Sequence, residues 1–139
     1  MASEFRIRPY RSGDEQQVVA LWRRCGLSVP WNDPQEDIAR KIAIQPELFL
    51  VGTLAGIPVA TVMAGFDGHR GWINYLAVSP QQQGRGFGRQ MMAGAESRLA
   101  SLGCPKINLQ IRSANSAVVA FYANLGYVID EVVSMGKRL

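Results

Sequence analysis

Between Gln83 and Arg89 three glycines, Gly84, Gly86 and Gly88, alternate with Arg85 and Phe87. They stand after an apolar, strand-like run and before a helix-like one. A helix N-terminus exposes unpaired N–H groups and a partial positive charge, and so suits a phosphate. Glycines there let the backbone approach a bulky pyrophosphate without Cβ contacts, and Arg85 and Arg89 add charge nearby. A Walker loop needs a Gly-Lys-Ser/Thr ending, which does not occur. A dinucleotide fingerprint needs a third glycine where Arg89 stands and an acidic residue about twenty positions on. Between Glu96 and Asp130 there is no Asp or Glu, so that design fits poorly.

Other chemistry-bearing residues are sparse. The single histidine, His69, lies in "FDGHRG" beside Asp67; it can titrate near neutrality, although a His between glycines also suits a turn. Asn115 and Tyr122 are seven residues apart, close to two helical turns, so they share a helix face. Asn115 reads as the cap of that helix. Cys25 and Cys104 have no CxxC spacing, so neither a disulfide framework nor a metal site is expected. The net charge of +4 suits an anionic small ligand. Nucleic acid is not expected as a partner, because the Lys and Arg residues are scattered and form no stripe.

These residues need a scaffold. "EFRIRPY" alternates as a short strand ended by Pro9. "RSGDEQQVVALWRRCG" reads as a helix with Ser12 and Glu15 at capping-box spacing, an apolar face of Val18, Val19, Leu21 and Trp22, and Gly26 as its stop. "NDPQEDIARKIAIQP" repeats the pattern, with Asp33 as N-cap and Pro34 at the first helical position. "LFLVGTL" and "GIPVATVMAGF" form a hairpin through "AG", and "GWINYLAV" follows. A helix from about Gly86 to Leu102, the strand "KINLQI", the helix "NSAVVAFYANLG" and one or two strands in "YVIDEVVSMGKRL" complete the chain. The order is β-α-α-β-β-β-α-β-α-β, with room for a final β. This predicts one α/β (α+β) domain over residues 1–139, a mixed sheet of six to seven strands flanked by four helices on both faces. No apolar run is long enough to span a bilayer, and Met1–Pro9 carries charges where a signal peptide is apolar, so no membrane partner and a cytoplasmic location are expected.

"QGRGFG", Gln83 to Gly88, matches the Q/R-x-x-G-x-G/A pattern of the GCN5-related N-acetyltransferase (GNAT) family. "NSAVVAFYANLGY" resembles that family's N-x-x-A-x-x-F/L-Y-x-x-x-G-F/Y signature, and "NYLAV" resembles its fourth strand. "PWNDPQEDIARK", "GFDGHRG" and "LGCPKINLQI" further resemble the bacterial YpeA-type subgroup. The resemblance covers nearly the whole chain. It implies the GNAT fold with a splay between the fourth and fifth strands, acetyl-CoA as co-substrate, no metal, and acetyl transfer to a primary amine. Main-chain groups around Leu76, Ala77 and Val78 would meet the pantetheine arm and acetyl group. The amides of Gln83, Gly84, Arg85, Gly86, Phe87, Gly88 and Arg89 would clamp the phosphates, with Asn115 as a further cofactor contact. Tyr122 would donate a proton to the departing thiolate, a transfer about 2 kcal/mol uphill from the reference pKa values. Trp31 and Asn32, between the first two helices, would border the acceptor, although Trp31 also suits a hydrophobic staple. A homodimer is compatible with the family's habit.

The chain departs from the family's pattern at the base. Many family members place a Glu on the fourth strand, where this chain has Asn74 and Tyr75. Asp67, His69, Glu36 and Asp37 are the remaining candidates, with Asp67, His69 and Asn74 also placed toward substrate. Lacking a strong base, the chain favours an amine of low pKa or deprotonation through ordered water. A non-catalytic acyl-CoA-binding or sensing domain is the alternative, and retention of Tyr122 argues against it.

Overall fold

The computed structural model describes residues 4–139. By contacts it divides into two units, one reaching to Leu109 and the other running from Gln110 to Leu139.

The first unit holds the sheet. Strand β1 (Phe5–Pro9) precedes helices α1 (Glu15–Arg24) and α2 (Pro34–Ile44). Strands β2 (Phe49–Leu54), β3 (Ile57–Phe66) and β4 (Gly71–Val78) follow, then α3 (Phe87–Ser101) and β5 (Ile107–Leu109). The spatial order is β1-β2-β3-β4-β5. The first three pairings are antiparallel and β4–β5 is parallel, the arrangement a helical crossover through α3 permits. The "AG" turn closes β2 onto β3 with both Ala55 (φ 51°) and Gly56 (φ 76°) left-handed, as a two-residue hairpin requires.

Helices cover both faces. Val51 faces a cluster with Val18, Trp22 and Ile38 from α1 and α2. Its neighbour Gly52 faces the other way, where a Cβ would meet the Phe5 ring and the Met91 sulfur of α3. Alternation along a strand produces this division.

Local grammar holds at α2, where the Asp33 carboxylate accepts from the N–H groups of Gln35 (2.9 Å) and Glu36 (3.3 Å). It fails before α1. The box is not Ser12–Glu15. Asp14 accepts from the Arg11 N–H at 2.9 Å and from both Arg8 guanidinium nitrogens at 2.7 and 2.8 Å. A partner on β1 thus overrides the local spacing.

The second unit contains α4 (Ser116–Asn124). The expectation of six to seven strands is corrected to five among the described residues, because Tyr127–Leu139 forms none. Val128, Ile129, Val132 and Val133 have strand-forming side chains but stand exposed. Strand propensity is realised only against a neighbouring strand, and this segment makes no ladder.

Candidate functional site

The glycine stretch forms a loop between β4 and α3. Gly84 and Gly86 take φ values of 82° and 81°, and a Cβ at either would meet nothing within 4 Å. Only glycine adopts this conformation without strain. Gly88 lies inside the first turn of α3, so two of the three glycines supply the left-handed turns. Gly86 is the N-cap residue, and no side chain caps the helix. The first-turn N–H groups of this 15-residue helix thus have no side-chain cap, and its partial positive charge concentrates there.

Arg85 is held at this loop. Its guanidinium lies 4.8 Å from the Phe87 ring centroid and donates to Gln82 Oε1 at 2.6 Å. Phe87 in turn stacks on Phe5 at 4.1 Å. A cation–π contact and one hydrogen bond thus restrain an otherwise exposed charge. Arg89 is exposed on α3. Gln83 turns back to donate from Nε2 to the Val78 carbonyl (3.1 Å), which also accepts from Cys25 Sγ (3.3 Å).

Strand β4 leads into the loop. Its pairing with β5 covers only Gly71, Trp72 and Ile73, so from Asn74 to Val78 one edge carries no β5 partner. On the other edge the register to β3 jumps from Met63↔Asn74 to Thr61↔Ala77. Tyr75 and Leu76 oppose a single residue there, which is a β-bulge. Tyr75 sits at φ 51°, a left-handed conformation rare for a residue with a Cβ.

Three contacts hold it. The Tyr75 hydroxyl donates to Asp37 Oδ2 at 2.5 Å, its carbonyl accepts from Thr61 Oγ1 at 2.8 Å, and Trp22 stacks on its ring. Desolvation first, and then the Asp37 carboxylate, push the Tyr75 hydroxyl well above the usual tyrosine range. Sequence reading missed this cluster. Nothing local in "INYLA" signals a left-handed tyrosine, and its partners at positions 22, 37 and 61 are remote in the chain.

The candidate bases have other occupations. Asp37 accepts from both Tyr75 and Arg40, and exposed Glu36 lies 3.7 Å from Arg40. Asp67 organises the β3–β4 turn by accepting from the N–H groups of His69 (2.8 Å) and Arg70 (2.7 Å) and from Trp72 Nε1 (3.2 Å). The Arg70 and His69 backbone bonds hold its carboxyl down at about 2. Asp67 and His69 precede β4 while the glycine loop follows it, and a strand of that length extends about 25 Å. The structure does not bring them together. Asn74 is exposed on β4, Asn32 donates its N–H to the Val29 carbonyl, and Trp31 is half exposed in the same connection.

Within the second unit, Asn115 Oδ1 accepts from the Val118 N–H at 3.4 Å and caps α4. Tyr122 is buried, with edge-on contacts to Phe121 and Tyr127. Burial pushes its hydroxyl up to about 12. Against a thiol near 8.5, proton donation is then about 5 kcal/mol uphill, steeper than the reference values imply. Among the described residues no group of three or more His, Cys, Asp and Glu is placed to hold a metal, and no helix is long and apolar enough to cross a membrane.

Residues 16–127 match the family model described as acetyltransferase (GNAT) family. An acetyltransferase of Sodalis glossinidius (strain morsitans) is 47% identical over 134 residues, covering 96% of this chain and 94% of that relative. Among solved structures, Ard1 from Thermoplasma volcanium superposes with a TM-score of 0.77 at 23% identity, over 91% of this chain and 84% of that one. The NatC complex bound to Gag peptide and CoA gives a TM-score of 0.75 at 23% identity, over 90% and 85% of the two chains.

Proposed function

Since the chain belongs to the acetyltransferase (GNAT) family and is an acyltransferase, we propose that it transfers an acetyl group from acetyl-CoA directly to a primary amine. The acceptor is a small amine or the amino group of a peptide or protein. The segments "PWNDPQEDIARK", "GFDGHRG" and "LGCPKINLQI" place it, on this reading, in the YpeA-type subgroup.

One observation carries the proposal: Gly84 and Gly86 hold left-handed turns against open space at the uncapped start of α3. That cradle fits a pyrophosphate, which the family's co-substrate supplies. Amides from Gln83 to Arg89 hold it, and Arg85 adds a restrained charge. Acetyl-CoA, when bound, supplies the thioester that reacts. From Leu76 to Val78 the edge without a β5 partner offers main-chain groups, other than the Val78 carbonyl taken by Gln83 and Cys25, to the pantetheine arm and to the acyl carbonyl oxygen. Tyr122 delivers its phenolic proton to the departing sulfur as the new C–N bond replaces the C–S bond. Asn115 supports the start of its helix. Trp31 and Asn32 border the acceptor.

Two of the candidate bases, Asp37 and Asp67, already accept from several donors, and Glu36 is exposed beside Arg40. The amine therefore arrives neutral or loses its proton to ordered water. An α-amino group with pKa near 8 is neutral in about one molecule in ten at pH 7, against about one in 2,500 for a lysine side chain. The test is a screen of acceptor amines and peptide N-termini with released thiol as readout. Amine-dependent thiol release, faster for α-amines and rising with pH, is expected. Binding of coenzyme A with no acceptor found among amines of either type would return the chain to a binding role.

A further inference from the structure

On the reading just given, and resting on it, we infer that Thr61 is a positioning residue whose hydroxyl fixes the Tyr75–Leu76 peptide so that the Leu76 N–H faces the acyl carbonyl oxygen.

Thr61 is fully buried on β3. Its oxygen accepts from Trp22 Nε1 at 2.9 Å, and its single proton goes to the Tyr75 carbonyl at 2.8 Å. The indole is itself fully buried and can only donate, so the polarity of the relay is fixed. The Tyr75 carbonyl is thereby turned toward β3. No peptide among the described residues is cis, and in a planar trans peptide the following N–H points opposite to the carbonyl. The Leu76 N–H is thus directed away from Thr61, toward the edge on which β5 pairing has ended at Ile73.

The bulge supports the same conclusion. Neither Tyr75 nor Leu76 has a cross-strand partner in the β3–β4 register. A left-handed residue at a bulge is ordinarily glycine. Here a tyrosine is kept there at φ 51° by contacts to its ring, hydroxyl and carbonyl, and strain of this kind persists only where the surroundings over-determine it. A threonine needed merely to satisfy the indole would not require the carbonyl to be turned.

Calorimetric titration of the full chain tests this, using acetyl-CoA and S-ethyl-CoA, a thioether without the carbonyl. Thr61→Val is expected to weaken acetyl-CoA about fivefold, the effect of one hydrogen bond, and to leave S-ethyl-CoA unchanged. Thr61→Ser retains the hydroxyl and should bind both like the parent. Should Thr61→Val fail to fold, Trp22→Phe keeps a ring against Tyr75 and removes the donor, and it should lower the same affinity ratio. An unchanged ratio in the folded variants, with both ligands bound, overturns the role of Thr61 and leaves the proposed function intact. Binding of neither ligand by the parent protein overturns the proposed function itself.

Discussion

The ring of Tyr75 lies face to face with the indole of Trp22, their centroids 3.8 Å apart and their planes 14° from parallel. One residue belongs to β4 and the other to α1, so the stack ties the bulged strand to the helix that covers it. The Tyr75 hydroxyl adds a second tie, to Asp37 on α2. Two helices thus determine where a strained strand residue sits.

Tyr75→Phe keeps the stack and removes the second tie. A half-buried hydrogen bond to a carboxylate contributes about 1–2 kcal/mol, and urea unfolding at pH 7 should show a loss of that size. The sign with pH is fixed, because the folded protein raises the hydroxyl above its unfolded value near 10. The contribution is complete below pH 10 and disappears as pH rises further. The difference between parent and variant should therefore shrink on the alkaline side, and a difference that grows there would contradict the assignment.

What sequence alone could reveal follows from the range of the forces involved. Asp33 and Pro34 announced the start of α2 because a cap acts within three residues. The glycine stretch was legible as the junction between a strand and a helix because glycine is costly inside either, whereas its left-handed turns emerged only in the structure. Asp14 was not, because its partner Arg8 lies on another element. Tyr75 was still less so, since Trp22, Asp37 and Thr61 meet only in the folded chain. The strands expected after Gly126 failed for a related reason, because β-branched residues favour a strand without supplying its partner.

Gly86→Ala separates the loop's conformational role from its binding role. Forcing an L-residue to φ 81° costs about 1–2 kcal/mol, and no neighbouring atom would clash with the new methyl. In the proposed cradle the methyl stands where phosphate oxygens approach, so affinity for coenzyme A should fall at least about tenfold. Gly56→Ala, with φ 76° and equally open surroundings in the β2–β3 turn, is the control. It should lose similar stability and keep its affinity. Equal affinity in both variants would remove the loop from the binding site.

Arg8 and Asp14 form a bidentate pair whose carboxylate is buried. The Arg8 hydrogen bond holds the Asp14 carboxyl below the usual range. A depressed carboxyl stabilises the fold above its unfolded pKa of about 4 and loses that contribution as pH falls. Arg8→Ala leaves a buried charge unpaired and should cost about 3 kcal/mol at pH 7. Melting temperatures between pH 7 and pH 3 should fall less steeply in the variant than in the parent. Parallel curves would show that the pair does not govern acid stability.

Tyr122 carries the most demanding assignment, since burial holds its hydroxyl at about 12. Such a group is protonated throughout the physiological range, as a donor must be, yet gives up its proton to a thiolate only uphill. Proton transfer from a placed acid contributes about a hundredfold or more, so Tyr122→Phe should lower thiol release by about that factor at saturating acetyl-CoA. Affinity for coenzyme A should stay within about twofold, because the phosphate cradle is assigned to other residues. The pH profile carries a separate sign. Turnover should rise as the acceptor amine loses its proton and show no decline from Tyr122 below about pH 11, one unit under its pKa. An unchanged rate in the variant, or a parent profile that falls between pH 8 and 10 and is flattened by the substitution, would mean that another group delivers the proton.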